Sequence, residues 1–351
     1  MPAVENTTGV ENATMVESMT RDENRLFILG GTALGGSGLF WAFPGLNGLG
    51  AVAGISGLTL IIARLGYGRG LMASLIGLLL AVGMCTLTLG LLGGILSGVL
   101  FAIIVLLPGL AMGNASRNFA SAAKTVWRGL LPIFILMACL AFFYPDVINN
   151  LPESVKGVNG SIMKSVQSNP DLSKMVANQY GNGADWQDKF LAELDKIIEF
   201  MIKILPGTLI VGFIVIIVAS LILTGAVASR YKLMVPRFRP FHLWRANDWW
   251  LLPTVLGLAF VVFAPNDFWR FLGGNLLIVC GHIYAVVGLA VTEAFFKRLF
   301  FPKAFRIIFY IAALLISIFS LIFFALLGVA DSRFNFKREI ENIENENGNI
   351  E

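Results

Sequence analysis

Three side chains in one apolar stretch have the types and spacing to act together. Asn275, His282 and Glu293 are separated by seven and eleven residues. At about 100° per residue, those steps place all three within about 20° of one helix face. Ionisable and amide groups are costly inside a bilayer, so such a stripe on a buried helix could line a cavity. His282 stands out because an imidazole both donates and accepts, and its charge changes in the physiological range. It could read a ligand or relay a proton. The competing reading is a neutral His282 bonded to a neighbouring helix. Glu293 precedes Lys297 by four residues, the spacing of an interfacial ion pair. Tyr284 falls roughly opposite His282, where Gly281, Ala285 and Gly288 read as a surface for another helix. Asn275 and His282 are the candidate ligand-binding residues.

No catalytic set is legible. The chain has two histidines, His242 and His282, and three cysteines, Cys85, Cys139 and Cys280, each inside an apolar run. That leaves no disulfide framework and no metal cluster to read. There is no HExxH, no Ser-His-Asp set and no facing pair of aspartates, and the run GGTALGGSG lacks the Lys-Ser/Thr of a phosphate-binding loop. We expect neither an enzyme nor a cofactor, and no nucleic-acid partner.

The elements that carry these residues are set by hydropathy. Mean hydropathy is +0.76 and only 14% of residues are charged, where soluble domains carry roughly a quarter. The stretches 26–63 and 71–116 hold no charge at all, as helices crossing a hydrocarbon core of ~30 Å require. Nine apolar segments follow: 26–43, 45–63, 71–89, 91–112, 127–144, 202–228, 249–264, 271–294 and 304–329. The count is eight if one of the first two is a re-entrant or tilted half-span. With a cytoplasmic N-terminus, the inner loops collect Arg64, Arg69, Arg117, Lys124, Arg230, Arg237, Arg239, Arg245, Lys297 and Lys303, and the short outer loops hold only Arg270. In the nine-span arrangement the tail is outside, and its Arg333, Lys337 and Arg338 break the pattern.

The expected fold class is therefore all-α, a polytopic transmembrane bundle with a small helical extramembrane insertion. Its parts are a polar N-terminal tail (1–25, without the apolar run of a cleaved signal peptide), Gly-rich transmembrane helices (26–144) and an extracytoplasmic amphipathic helical insertion (145–199). Further transmembrane helices (200–330) and a disordered Asn/Glu-rich tail (331–351) complete it. Trp186, Phe190, Leu194, Ile197 and Met201 recur at helical spacing, which predicts a helix running on into the sixth span with a kink at Pro206. Of the 37 glycines, 22 precede Ser116. Gly31 and Gly35, Gly50 and Gly54, and Gly77, Gly94 and Gly98 have the small-residue spacing that brings helix backbones close. They serve tight packing, or sliding of helices against each other or a partner.

The loop FRPFHLWRANDWW is a basic elbow. Pro236 and Pro240 exclude a regular helix, and Arg237, Arg239 and Arg245 hold the loop on the positive side. Trp244, Trp249 and Trp250 suit the headgroup zone, and Asn247 or Asp248 can cap the next helix. A stiff interfacial bend explains all of them; the functional alternatives are an anionic-lipid contact or a docking surface for a protein. The order KILPGTLIV, FRPFHLW, WWLLP, GNLLIVCGHIYAVVGLAV and GVADSRFNFK resembles the YybS-like family of multispan bacterial membrane proteins, whose biochemical role is unassigned. That family is distantly similar to the S components of energy-coupling-factor transporters. The resemblance implies a bundle in the bacterial inner membrane enclosing a small-molecule pocket. Two functions are open: binding of a small neutral or apolar solute as a transporter-like subunit, and a non-catalytic scaffold that binds a protein through the insertion and the basic loop. In either case the lipid bilayer is a partner.

Overall fold

At 1.5 Å per residue, a straight helix over the uncharged run and its flanks, residues 67–117, would measure about 76 Å, more than twice a bilayer core. The computed structural model of the chain, which describes residues 7–43, 45–149, 151–180, 186–231, 233–316 and 318–337, resolves this at Gly90. There φ is 77° and ψ is 174°, a region essentially reserved for glycine. A Cβ at Gly94 would strike Thr86, and one at Gly98 would strike Val82 and lie 3.8 Å from Leu78. Thr86 and Gly94, and likewise Val82 and Gly98, are equidistant from Gly90, so the two arms run antiparallel. The apolar segments 71–89 and 91–112 are the arms of a tight helical hairpin.

Among the described residues the regular structure is wholly helical: α1 (Thr7–Trp41), α2 (Asn47–Leu65), α3 (Tyr67–Phe101), a π turn (Ala102–Leu106), α4 (Leu107–Arg117), α5 (Ala122–Asn149), α6 (Leu151–Ser168) and α7 (Pro170–Tyr180). There follow α8 (Trp186–Arg230), α9 (Leu251–Phe263), α10 (Asp267–Arg298), α11 (Lys303–Ile316) and α12 (Ile318–Phe334). Five of these stretches are long and apolar enough to cross a membrane: Asn47–Leu65, Tyr67–Arg117, Ala122–Cys139, Trp186–Arg230 and Asp267–Arg298. The polar segment 7–25 is the start of α1, where the sequence suggests a tail. Residues 338–351 of the expected disordered tail lie outside the described residues.

The chain forms two compact units, Met1–Ala138 with Gly212–Phe238, and Cys139–Val211 with Arg239–Glu351. In the first, α2 is the central helix, with eleven of its nineteen residues buried. Ile55, Leu58, Ile61 and Ile62 pack against Leu34, Phe101, Val105, Met112 and Ile217. Small residues admit the close contacts. A Cβ at Gly54 would meet Ser37, one at Gly50 would meet Phe40, and one at Gly77 would meet Leu34; Gly35 faces Leu80 more loosely. Gly31 has nothing within 4 Å, and the α1 glycines in tightest contact are Gly30, against Gly57 and Ile61, and Gly38, against Gly77. Ser56 Oγ donates to the Ser220 carbonyl at 3.0 Å and ties α2 to the second half of α8. Leu71, Met72, Leu75, Ile76 and Leu79 of α3 point outward, an apolar exterior suited to lipid.

Basic residues gather at one end of this unit. Glu23 lies 3.7 Å from both Arg64 and Arg69, the Arg117 guanidinium lies against Gly66, and Ala228 and Val235 pack on Leu60 and Ala63.

In the second unit α8 begins at Trp186 and continues through Pro206, as the spacing predicts. Tyr180 of α7 packs its ring 5.8 Å from Phe190. Helices α9 and α10 meet at Gly257 and Gly273, each backed onto the other's carbonyl, and Asn266 caps α10 by accepting from Trp269 N. Helices α10 and α12 cross closer still: a Cβ at Gly288 would fall on the Phe324 carbonyl, and one at Gly328 on that of Tyr284. The Phe309 and Phe324 rings lie 6.3 Å apart. Fifteen residues of continuous helix would hold them about 22 Å apart, so the chain bends sharply between α11 and α12. Residues 304–329 are thus two helices, where hydropathy suggests one span.

Candidate functional site

Asn275 sits where α8 is weakest. Pro206 removes a backbone donor and its ring crowds the preceding turn, which opens the hydrogen-bond ladder. In an intact helix Gly207 N–H would bond to the Lys203 carbonyl. Here Gly207 N–H donates to Asn275 Oδ1 at 2.6 Å, and Asn275 Nδ2 donates to the Lys203 carbonyl at 2.8 Å. The carboxamide bridges these two backbone groups across the turn that Pro206 weakens. Its second N–H goes to the Phe271 carbonyl at 2.9 Å. Asn275 is buried, with both donors committed to backbone.

The other members of the stripe also bond within the protein. His282 Nδ1 lies 2.8 Å from the Ile278 carbonyl, one turn back on its own helix. Glu293 does not pair with Lys297. Its carboxylate accepts from Arg306 at 2.8 Å and from the Tyr310 hydroxyl at 2.8 Å. Those two residues are themselves one turn apart on α11, so together they grip both oxygens. Lys297 instead approaches His242, with Nζ 2.8 Å from Nδ1. Tyr284 is 1% exposed at the α10–α12 crossing. Its hydroxyl lies near those of Ser332 and Thr254 but makes no bond of hydrogen-bonding geometry.

A second group of polar residues forms where the elbow meets the end of α12. Within the elbow, Trp244 Nε1 donates to the Arg239 carbonyl at 2.8 Å, and the Phe241 ring packs edge-on against Trp244 at 5.4 Å. Asn247 caps the following turn by accepting from Trp249 N. Trp249 is 77% exposed, Trp250 is half-buried, and Arg237, Arg239 and Arg245 are exposed. Helix α12 ends at Asn335 in the left-handed region, φ 53°, with its N–H on the Asp331 carbonyl, a helix-terminating conformation that asparagine tolerates. The chain turns there and brings Lys337 back onto Asp331, Nζ to Oδ2 3.0 Å, both side chains 1% exposed. Lys337 Nζ also donates to the Trp244 carbonyl. The end of α12 and the elbow thus share one end of this unit, and Lys297 joins them through His242. The nine-span arrangement would hold the elbow and the tail on opposite sides.

Arg245, Ala246, Asn247, Asp248, Asp331 and Ser332 line a pocket of about 400 Å³ here. Among the described residues Asp331 Oδ1 is buried with no hydrogen-bond partner, and the carboxylate faces Lys337 with the other oxygen. The elbow residues were legible from sequence; Asp331, Ser332 and Lys337 were not. The available signal was the pair of charges in GVADSRFNFK, an acid within an apolar helix followed six residues later by a lysine.

Helices with apolar outward faces, several of them long enough to span, define an all-helical membrane protein. Residues 49–332 match the family described as Predicted membrane protein (DUF2232), and the chain belongs to that family. No curated protein and no solved structure matches it.

Proposed function

We propose that this protein binds a small polar solute in the pocket between the elbow and α12, as a non-enzymatic multi-pass subunit of the bacterial inner membrane. The observation that carries this reading is the pocket itself: about 400 Å³ with charged and amide groups converging on it, within the range of small-molecule sites. The lining is polar, so the solute is polar too, in place of the neutral or apolar one that the stripe of α10 suggests.

The topology that fits best has eight crossings, a cytoplasmic N-terminus, and α11 with α12 as a re-entrant pair. The hairpin at Gly90 supplies two crossings. The bend between α11 and α12, together with the meeting of Lys337 and Trp244, supports a tail on the elbow's side. With that arrangement Arg333 and Lys337 join the other basic residues on the cytoplasmic face, and Arg270 is the one exception to the positive-inside pattern in the short loops.

The test is native mass spectrometry of the full chain from mild detergent, beside the variant Ala246→Trp, which fills the pocket from the elbow. A small molecule retained by the wild type and lost in the variant is expected. Equal retention, or a co-purifying protein with no small molecule, overturns the reading and favours a scaffold.

A further inference from the structure

Charge in the first unit is one-sided. Beyond Glu23, its segments 24–138 and 212–238 contain nine lysines and arginines and no acid. Three of the arginines converge where α2 gives way to α3. Gly66 makes that break with φ 89°, and the Arg117 guanidinium, from the end of α4, lies against it, 3.3 Å from where a Cβ would stand. Arg64 precedes the break by two residues and Arg69 follows it by three. Glu23 faces both at 3.7 Å, too far for a hydrogen bond and too exposed for a strong ion pair. An apolar stripe starts at this notch. Arg69, Met72, Ile76 and Leu79 recur at three- and four-residue steps on one face of α3, and the last three are exposed. From Arg69 to Leu79 the helix rises about 15 Å, half of the ~30 Å core and so the depth of one leaflet.

We propose that the notch formed by Arg64, Arg69 and Arg117 holds the phosphodiester of one anionic phospholipid, with an acyl chain lying along Met72, Ile76 and Leu79. Guanidinium groups bind phosphate oxygens in pairs, and basic clusters between membrane helices favour anionic headgroups. A zwitterionic lipid would bring its own ammonium group into a notch that already carries an excess of positive charge, and like charges brought together are costly. A soluble anion would leave the stripe unused. Tyr67, exposed at the break itself, has the amphipathic ring that suits the headgroup level. The site lies wholly in the first unit and rests on no part of the solute reading above.

The experiment titrates the full chain, in maltoside detergent, with phosphatidylglycerol, phosphatidylethanolamine and glycerophosphoglycerol, the last being the phosphatidylglycerol headgroup without acyl chains. Bound molecules are counted by native mass spectrometry. We expect one phosphatidylglycerol to bind, about fivefold or more tighter than phosphatidylethanolamine, the scale of one basic residue near a charged surface. Arg69→Gln and Arg117→Gln should each weaken it by about fivefold. Both side chains are exposed, so the variants keep the core intact. Glu23→Gln removes the competing carboxylate and should strengthen binding by a similar factor, a gain that damage to the fold cannot produce. Lys124→Gln, at the same end of the unit but outside the notch, should leave binding unchanged. Equal uptake of the two lipids, equal binding of the deacylated headgroup, or a co-purifying acidic protein with no bound lipid overturns the proposal. So does a loss in Lys124→Gln as large as in Arg117→Gln, which would mark diffuse attraction, or an affinity in Glu23→Gln that fails to rise.

Discussion

Replacing Asn275 by alanine tests whether its carboxamide repairs α8. The substitution leaves Gly207 N–H without its acceptor and the Lys203 carbonyl without its donor. The Phe271 carbonyl loses a second partner but keeps its helical one. An orphaned buried group costs about 1–3 kcal/mol in water-soluble proteins, so two give roughly 2–6 kcal/mol. Interhelical hydrogen bonds in membranes average about 0.6 kcal/mol, which sets a floor near 1 kcal/mol for the pair. We expect a loss of about 2 kcal/mol, because the carboxamide occupies a gap in the ladder where α8 has no donor of its own at residue 206. The decisive comparison is a double-mutant cycle with Pro206→Ala. Alanine restores the N–H and allows Gly207 to bond to Lys203 again, so Asn275→Ala should cost much less in that background. The assay is reversible unfolding in mixed micelles, with a coupling of about 1 kcal/mol or more expected. A coupling inside the ~0.5 kcal/mol of independent sites would refute the clamp.

Gly90→Ala forces a side chain into a φ of 77° and should cost about 1–3 kcal/mol in the same assay; wild-type stability would show that the hairpin turns elsewhere. Gly288→Ala and Gly328→Ala each place a methyl on a backbone carbonyl and should destabilise by about 1–3 kcal/mol or more. Gly281→Ala, with nothing within 4 Å, is the control, and an equal loss there would refute the crossing. In a background without native cysteines, single cysteines replacing Arg245 and Arg333 should react from one side of the membrane and one replacing Ser168 from the other. Labelling of Arg333→Cys from the side of Ser168→Cys would restore nine spans. His282→Leu should leave solute retention unchanged, since the ring bonds to its own helix; lost retention would move the site onto α10.

What could be read from the chain alone was local. The arms around Gly90 and the run of α8 through Pro206 follow from apolar period and from residues that interrupt it. Asn275 was visible as a buried polar group, but its partner lies 68 residues earlier, and nothing in spacing along one helix reveals a second. The pairing of Glu293 with Lys297 follows the one-turn rule, yet Arg306 and Tyr310 offer two donors at once from a neighbouring helix. Residues 307–329 carry no proline or charge to mark their bend, so hydropathy joins what the phenylalanines separate. The pocket needs the elbow and α12, more than eighty residues apart, and only the tertiary fold brings them together.

The hairpin at Gly90 bears on how the protein reaches its membrane. No charge falls between Arg69 and Arg117, so neither arm carries a topogenic signal of its own. In the proposed topology the two enter the insertion machinery as one loop, with the flanking arginines left behind on the side of synthesis and the glycine tip leading across. A single lysine placed at that tip would therefore act on two helices at once, and its damage would appear during biogenesis, before any packing had formed.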